Sequence, residues 1–280
     1  MLLLTTLALA REPIHYQYSL SEGAEPSAAI ATTYTVEDEI FAANDEAKLR
    51  AEGDPASKML WQLPVGAPVT VLAVGTASVY GEFGGTWYQV QAGERTGWVH
   101  SSDLTPYAWK ADFDLDGDVE IATVAFMSDF TIRVTVYEPD MRVANISVVD
   151  LDSAGGAYLG QKGGVVRADL LPAKKAGLPL IHVWTGVEAC ADFADYWVSY
   201  TSDGKAKPGM ANIALTQGGL MDPPNCSTYE VKFDAKRHLA VVTTSQGDCG
   251  TTKAKPTLDT SRWVLVDGVY KVERPGGVVR

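Results

Sequence analysis

"WVLVDGVYKVE", residues 263–273, decides the fold class. Apolar and polar side chains alternate on both sides of Asp267-Gly268. Alternation with a period of two is the signature of a strand with one buried face. A two-residue Asp-Gly connection tolerates the positive φ angles of a type I′ turn, so the stretch reads as a β-hairpin. The same texture runs outward through the chain. "HLAVVTTS" (238–245), "STYEVKF" (227–233), "YWVSYTS" (196–202), "LPLIHVWTG" (178–186), "NISVVDL" (145–151), "FTIRVTVYE" (130–138) and "IATVAF" (121–126) are β-branched and aromatic runs between turn residues. No stretch carries a helical period of useful length, although "LPAKKAGL" (171–178) suits one helical turn. The expectation is an all-β protein with mostly antiparallel pairing.

Bulk properties narrow the function classes. The 280 residues include 46% hydrophobic and 21% charged residues, enough apolar material for two cores. A formal net charge of −12 and the lack of any basic run argue against nucleic-acid binding, which needs clustered Lys and Arg. Residues 1–10, "MLLLTTLALA", resemble the apolar region of a secretory signal, with Ala8-Leu9-Ala10 as a small-x-small cleavage site. No other segment is long and apolar enough to span a membrane. An exported protein, periplasmic or extracellular, is therefore expected. Residues 11–33, rich in Pro, Ser, Ala and Glu, read as a linker or loosely attached arm.

Residues 47–106 carry a named resemblance. "KLRAEGDPASKMLWQLPVGAPVTVLAVG" followed by "GTWYQVQAGERTGWVHSSDLTPY" is similar to bacterial SH3 domains (SH3b). The expected organisation is an SH3-like barrel over 34–107 and a larger antiparallel β-domain over 108–280, a sandwich rather than a propeller. Residues 34–46 suit an added strand or an insertion at the domain start, and 76–85 an enlarged loop. Leu63, Val69, Val71, Val90 and Val99 are the interior candidates. Five aromatics exceed what so small a barrel holds, and exposed rings make a binding platform. Trp87 and Trp98 take the family's core-like positions, which leaves Tyr80, Tyr88 and Trp61 as ligand-binding candidates. The resemblance implies a cell-wall peptide or an envelope protein as partner.

"ADFDLDGDVEI" (111–121) is the second motif. Carboxylates at i, i+2 and i+4, followed by Gly117, can turn inward around a hard cation that wants six to eight oxygens. Asp112, Asp114 and Asp116 are the expected ligands, with Asp118 and Glu120 adding further oxygens. An EF-hand is excluded, because Thr123 stands where its bidentate Glu belongs and strands flank the loop. The pattern resembles the calcium loops of FG-GAP or VCBS-type repeats, which implies Ca²⁺. The plainer alternative is an acidic turn that caps its own backbone.

Catalytic signatures are sparse. Cys190 with His238 is the single nucleophile–base candidate, and it makes a cell-wall peptidase the alternative to a non-catalytic binding protein. A structural or adhesive envelope component is the third class. The serine-hydrolase, zinc-protease and phosphate-loop motifs are absent. Cys226 and Cys249 lie on two arms of a hairpin turning near 234–237, so a disulfide between them is expected, with Cys190 left over.

Overall fold

A computed structural model describes residues 14–18, 34–80, 83–127, 131–139, 146–152, 164–187, 192–202, 209–222, 225–248 and 255–273. Twenty strands and one short helix are described, so the chain is all-β as expected. The signal-like residues 1–10 fall outside the described residues.

Within the stretch expected as an arm, Tyr16–Tyr18 is a strand, β1. The barrel follows, built from β2 (Glu39–Ala42), β3 (Lys48–Arg50), β4 (Met59–Gln62), β5 (Pro68–Tyr80), β6 (Phe83–Ala92), β7 (Arg95–His100) and β8 (Leu104–Thr105). Their order in the sheet is β4-β3-β7-β6-β5-β2-β8. All five interior candidates are buried, together with Ile40, Leu49, Tyr88 and Leu104. The expected enlarged loop at 76–85 is instead the outer end of a long hairpin. The β5–β6 ladder continues to Tyr80 opposite Phe83, through two register shifts. Such shifts bend a strand and sharpen its twist, and Tyr80 near this end of the ladder packs on Trp87 and His100.

The remaining strands form a sandwich. β9 (Ala108–Ala111), β10 (Glu120–Phe126), β11 (Thr131–Tyr137) and β12 (Ile146–Asp152) make a four-stranded sheet in the order β12-β11-β10-β9. Alternation in β10 and β11 turns Ala122, Val124, Phe126, Ile132, Val134 and Val136 to one face. That face packs on a nine-stranded antiparallel sheet. It contains β1, β13 (Gly164–Leu171), β14 (Leu180–Val187), β15 (Asp192–Thr201), β16 (Met210–Asp222), β17 (Asn225–Asp234), β18 (Leu239–Asp248), β19 (Thr257–Val266) and β20 (Val269–Val272). Ile181, Val183, Val198 and Tyr200 supply the facing layer. The expected helical turn is α1 (Ala173–Ala176), which ends on Gly177 at φ 95°. It covers the opposite face of the large sheet, where Leu180, Trp197, Leu215, Ala240, Val242 and Tyr270 form another core. The opening hairpin behaves as read: Asp267 and Gly268 have φ of 50° and 76°, as a type I′ turn requires.

The two modules share buried contacts. The Tyr16 hydroxyl of β1, which pairs with β13, donates to the Leu104 carbonyl of the barrel at 3.3 Å. Thr105 donates to Val124 O, and Tyr107 to Val166 O at 2.9 Å. At Gly66 (φ 66°) an added Cβ would lie 2.9 Å from Ile121 Cγ2, so the barrel turn rests directly on β10.

Candidate functional site

These contacts leave the outer face of the four-stranded sheet turned towards one side of the barrel. Between them lies a cavity of about 600 Å³, within the range of small-ligand sites. Its floor comes from alternate residues of β10, β11 and β12: Ala125, Arg133, Thr135, Tyr137, Ile146 and Val148. They sit side by side because the ladder pairs Ala125 with Arg133, Thr135 with Val148 and Tyr137 with Ile146. The barrel side supplies Ala43, Asn44, Asp45, Glu46, Lys48, Tyr80, Ser102 and Asp103. Apolar surface and charge are both present, and Val148 is 47% exposed there.

The carboxylates outnumber the cations. Asp45, Glu46 and Asp103 face Lys48 and Arg133, and Arg133 is already engaged by Asp150 through two bonds of 2.8 and 2.9 Å. Burial pushes the Asp103 carboxyl up to about 6, against the Lys48 amide, the Asn44 side chain and the charges of Lys48 and Arg50.

Of the three aromatic candidates, Tyr80 lines this cavity. Its hydroxyl accepts from Arg50 Nη2 at 3.4 Å, and its ring packs on Trp87 and His100 with centroids 5.6 and 5.4 Å away. Trp61 stands elsewhere on the barrel, half-buried under the Arg95 guanidinium at 4.3 Å. Tyr88 corrects the sequence reading: it is fully buried, edge-on to Tyr34, and its hydroxyl accepts the Tyr34 N–H. Adjacent residues of a strand face opposite ways. The barrel interior takes Tyr88 with Val90, so Trp87 points outward and is buried against Tyr80 and His100. Trp98, assigned to the core by resemblance, is only half-buried. His100, lone in sequence, is a buried member of this aromatic group.

The acidic loop lies at the other end of β10. Asp112, Asp114 and Asp116 each offer a carboxylate oxygen, and these oxygens fall within 4.8 Å of one another. Leu115 and Gly117 adopt φ of 63° and 103° to make the curl. Asp118 is exposed and outside the group. Glu120 is fully buried; one oxygen accepts the Phe113 N–H at 2.7 Å, while Oε1, like Asp112 Oδ1, has no partner. Burial pushes Glu120 up to about 7 against the Phe113 bond, with Asp114, Glu138 and Asp112 adding to the rise.

The catalytic alternative gains no support from His238, an exposed turn residue at φ 50° between β17 and β18. Cys190 and Cys249 lie outside the described residues. Cys226 lies on β17 opposite Gly247.

A different cluster escaped the sequence reading. His182 on β14 is held between Asp169 (Nδ1, 3.0 Å) and Asp195 (Nε2), beneath Trp197 stacked at 5.0 Å; Tyr229 donates to the other Asp195 oxygen. Burial lowers the imidazole pKa, but bonds to the two carboxylates prevail and raise it to about 9. The partners sit on neighbouring strands, 13 positions away on each side, where sequence proximity gives no signal.

No helix among the described residues is long and apolar enough to cross a membrane. No curated protein and no solved structure matches the chain. The family described as Bacterial SH3 domain matches residues 45–105, which are β3 to β8 with their flanking turns; the match reaches neither the acidic loop nor the sandwich.

Proposed function

We propose that this is a non-catalytic binding protein of the bacterial cell envelope, exported, whose SH3-like module presents a cell-wall peptide or an envelope protein to the cleft shared with the sandwich. The observation that carries the reading is the cleft itself. It joins the matched module, through Asp45, Glu46, Lys48 and Tyr80, to a floor that is neither core nor plain solvent face. Bacterial SH3 modules are peptide- or protein-binding domains, which agrees with a groove of mixed character. The test is retention of the full chain on purified cell wall. Tyr80→Ala is expected to weaken retention at least fivefold without loss of folding, since its ring leaves the cleft. Wild-type chain that passes unretained at every salt concentration overturns the cell-wall reading.

The acidic loop is read as a calcium site within the same protein. Oxygens on opposite sides of a Ca²⁺ ion lie up to about 5 Å apart, twice a bond of ~2.4 Å. The separations among Asp112, Asp114 and Asp116 suit that span. The unpartnered buried oxygens of Asp112 and Glu120 support a cation nearby, because buried carboxylate oxygens are costly without one or a donor. Calcium here would neutralise the acidic curl and tie β9 to β10.

A further inference from the structure

The cleft's chemistry says more about its occupant, resting on the binding-protein reading above. Three features bear on the choice. First, the lining carries Asp45, Glu46 and Asp103 against Lys48 and Arg133; because Asp150 already holds Arg133 bidentately, the floor's own cation is neutralised. The local field therefore favours a cation and disfavours an acidic peptide or a phosphate. Second, Ile146 and Val148, two residues apart on the same face of β12, form a short aliphatic strip on the floor, which suits a short hydrocarbon stem, as in a lysine-like side chain. Third, the aromatic content is small. Tyr80 is half-buried against Trp87, and Tyr137 is 3% exposed. A sugar-stacking platform needs open ring faces, and neither tyrosine offers one. Asn44, Ser102 and Thr135 add neutral polar groups to the lining, with Asn44 Oδ1 accepting the Glu46 N–H and Ser102 Oγ bonded to His100 Nδ1.

We infer that the interdomain cleft binds a short peptide bearing a free ammonium group. The ammonium sits against the carboxylates of Asp45, Glu46 and Asp103, and its aliphatic stem lies on Ile146 and Val148. The sandwich is then half of the binding site and not merely a support for the SH3-like module.

The experiment titrates the full chain by calorimetry with three tetrapeptide amides, acetylated at the N-terminus: Ala-Ala-Lys-Ala, its norleucine counterpart and its glutamate counterpart. The lysine peptide is expected to bind at least tenfold tighter than the norleucine peptide, and the glutamate peptide weakest. Glu46→Gln, an exposed change, is expected to cut that preference at least threefold. Val148→Arg, which adds bulk and positive charge to the floor, is expected to abolish lysine-peptide binding. Asp103→Asn would be the direct deletion, but its partly buried carboxyl meets the Lys48 amide, so the two surface variants carry the test if it fails to fold. Cell-wall retention that persists while the three peptides bind equally, or while both variants leave lysine-peptide binding unchanged, overturns this inference and leaves the binding-protein reading standing. Loss of both retention and peptide binding overturns both.

Discussion

His182 shows what a residue's neighbours in sequence leave open. An apolar strand around a histidine suggests a ring satisfied in the core. The ring is satisfied, but by two carboxylates. Its pKa is raised from 6.5 to about 9, so the folded state binds the proton more tightly than the unfolded state. The resulting stability is complete below pH ~6.5 and is lost as pH rises through ~9. His182→Gln should therefore destabilise by on the order of 2 kcal/mol at pH 6, and the deficit should shrink towards pH 10. Parallel urea titrations of both proteins at the two pH values measure it; a deficit independent of pH would mean that the ring acts through packing alone. Gly66 is a second case. Its positive φ and its 2.9 Å approach to Ile121 both oppose a side chain. Gly66→Ala should cost about 1–3 kcal/mol, from backbone strain and overpacking together, measurable as a lowered urea midpoint.

At the scale of elements, the loop between β9 and β10 carries the clearest consequence. A cation bound by the native state alone stabilises by RT ln(1 + [L]/Kd), about 2.7 kcal/mol at a hundredfold excess over Kd. Chelation should therefore lower the Tm, and calcium should restore it where magnesium largely does not, because magnesium demands an octahedral site and releases water reluctantly. Asp114→Ala should remove the calcium response. A wild-type melting curve unchanged by exhaustive chelation would return the loop to an acidic turn. The β17–β18 hairpin holds the remaining expectation. A Cys226–Cys249 bridge should appear in non-reducing peptide mapping, and its reduction should cost on the order of 3 kcal/mol. Recovery of Cys190 in the bridge would sink the assignment.

For the whole molecule, the shared contacts predict joint unfolding. Tyr16, Thr105 and Tyr107 carry hydrogen bonds from one module into the other or into strands that precede and follow it. Tyr107→Phe keeps the ring and removes the bond to Val166 O, so it should cost about 1 kcal/mol. Denaturation followed by tryptophan fluorescence and by far-UV circular dichroism should give coincident transitions, as two modules sharing buried contacts unfold together. Separate transitions would show independent modules, with the cleft open to relative motion.

The sequence by itself determined the strands. Their alternation, the Asp267-Gly268 turn and the helical stop at Gly177 are local effects, since a side-chain period and a positive φ need only near neighbours. It also determined the barrel, where several elements of the SH3 pattern occur in order, and it located three clustered carboxylates, because i, i+2 and i+4 on a tight curl converge without outside help. Tertiary structure alone decided which face of β6 is inside. Trp87 and Tyr88 are both large aromatics, and Tyr80 with His100 covers one while the barrel takes the other. The cleft was likewise invisible. Its floor and roof come from residues 125–148 and 43–103, and nothing in either stretch records that the other faces it. The pairing of His182 with Asp169 and Asp195 depends on strand register, which is fixed by the burial of both sheet faces and not by any residue in the pair.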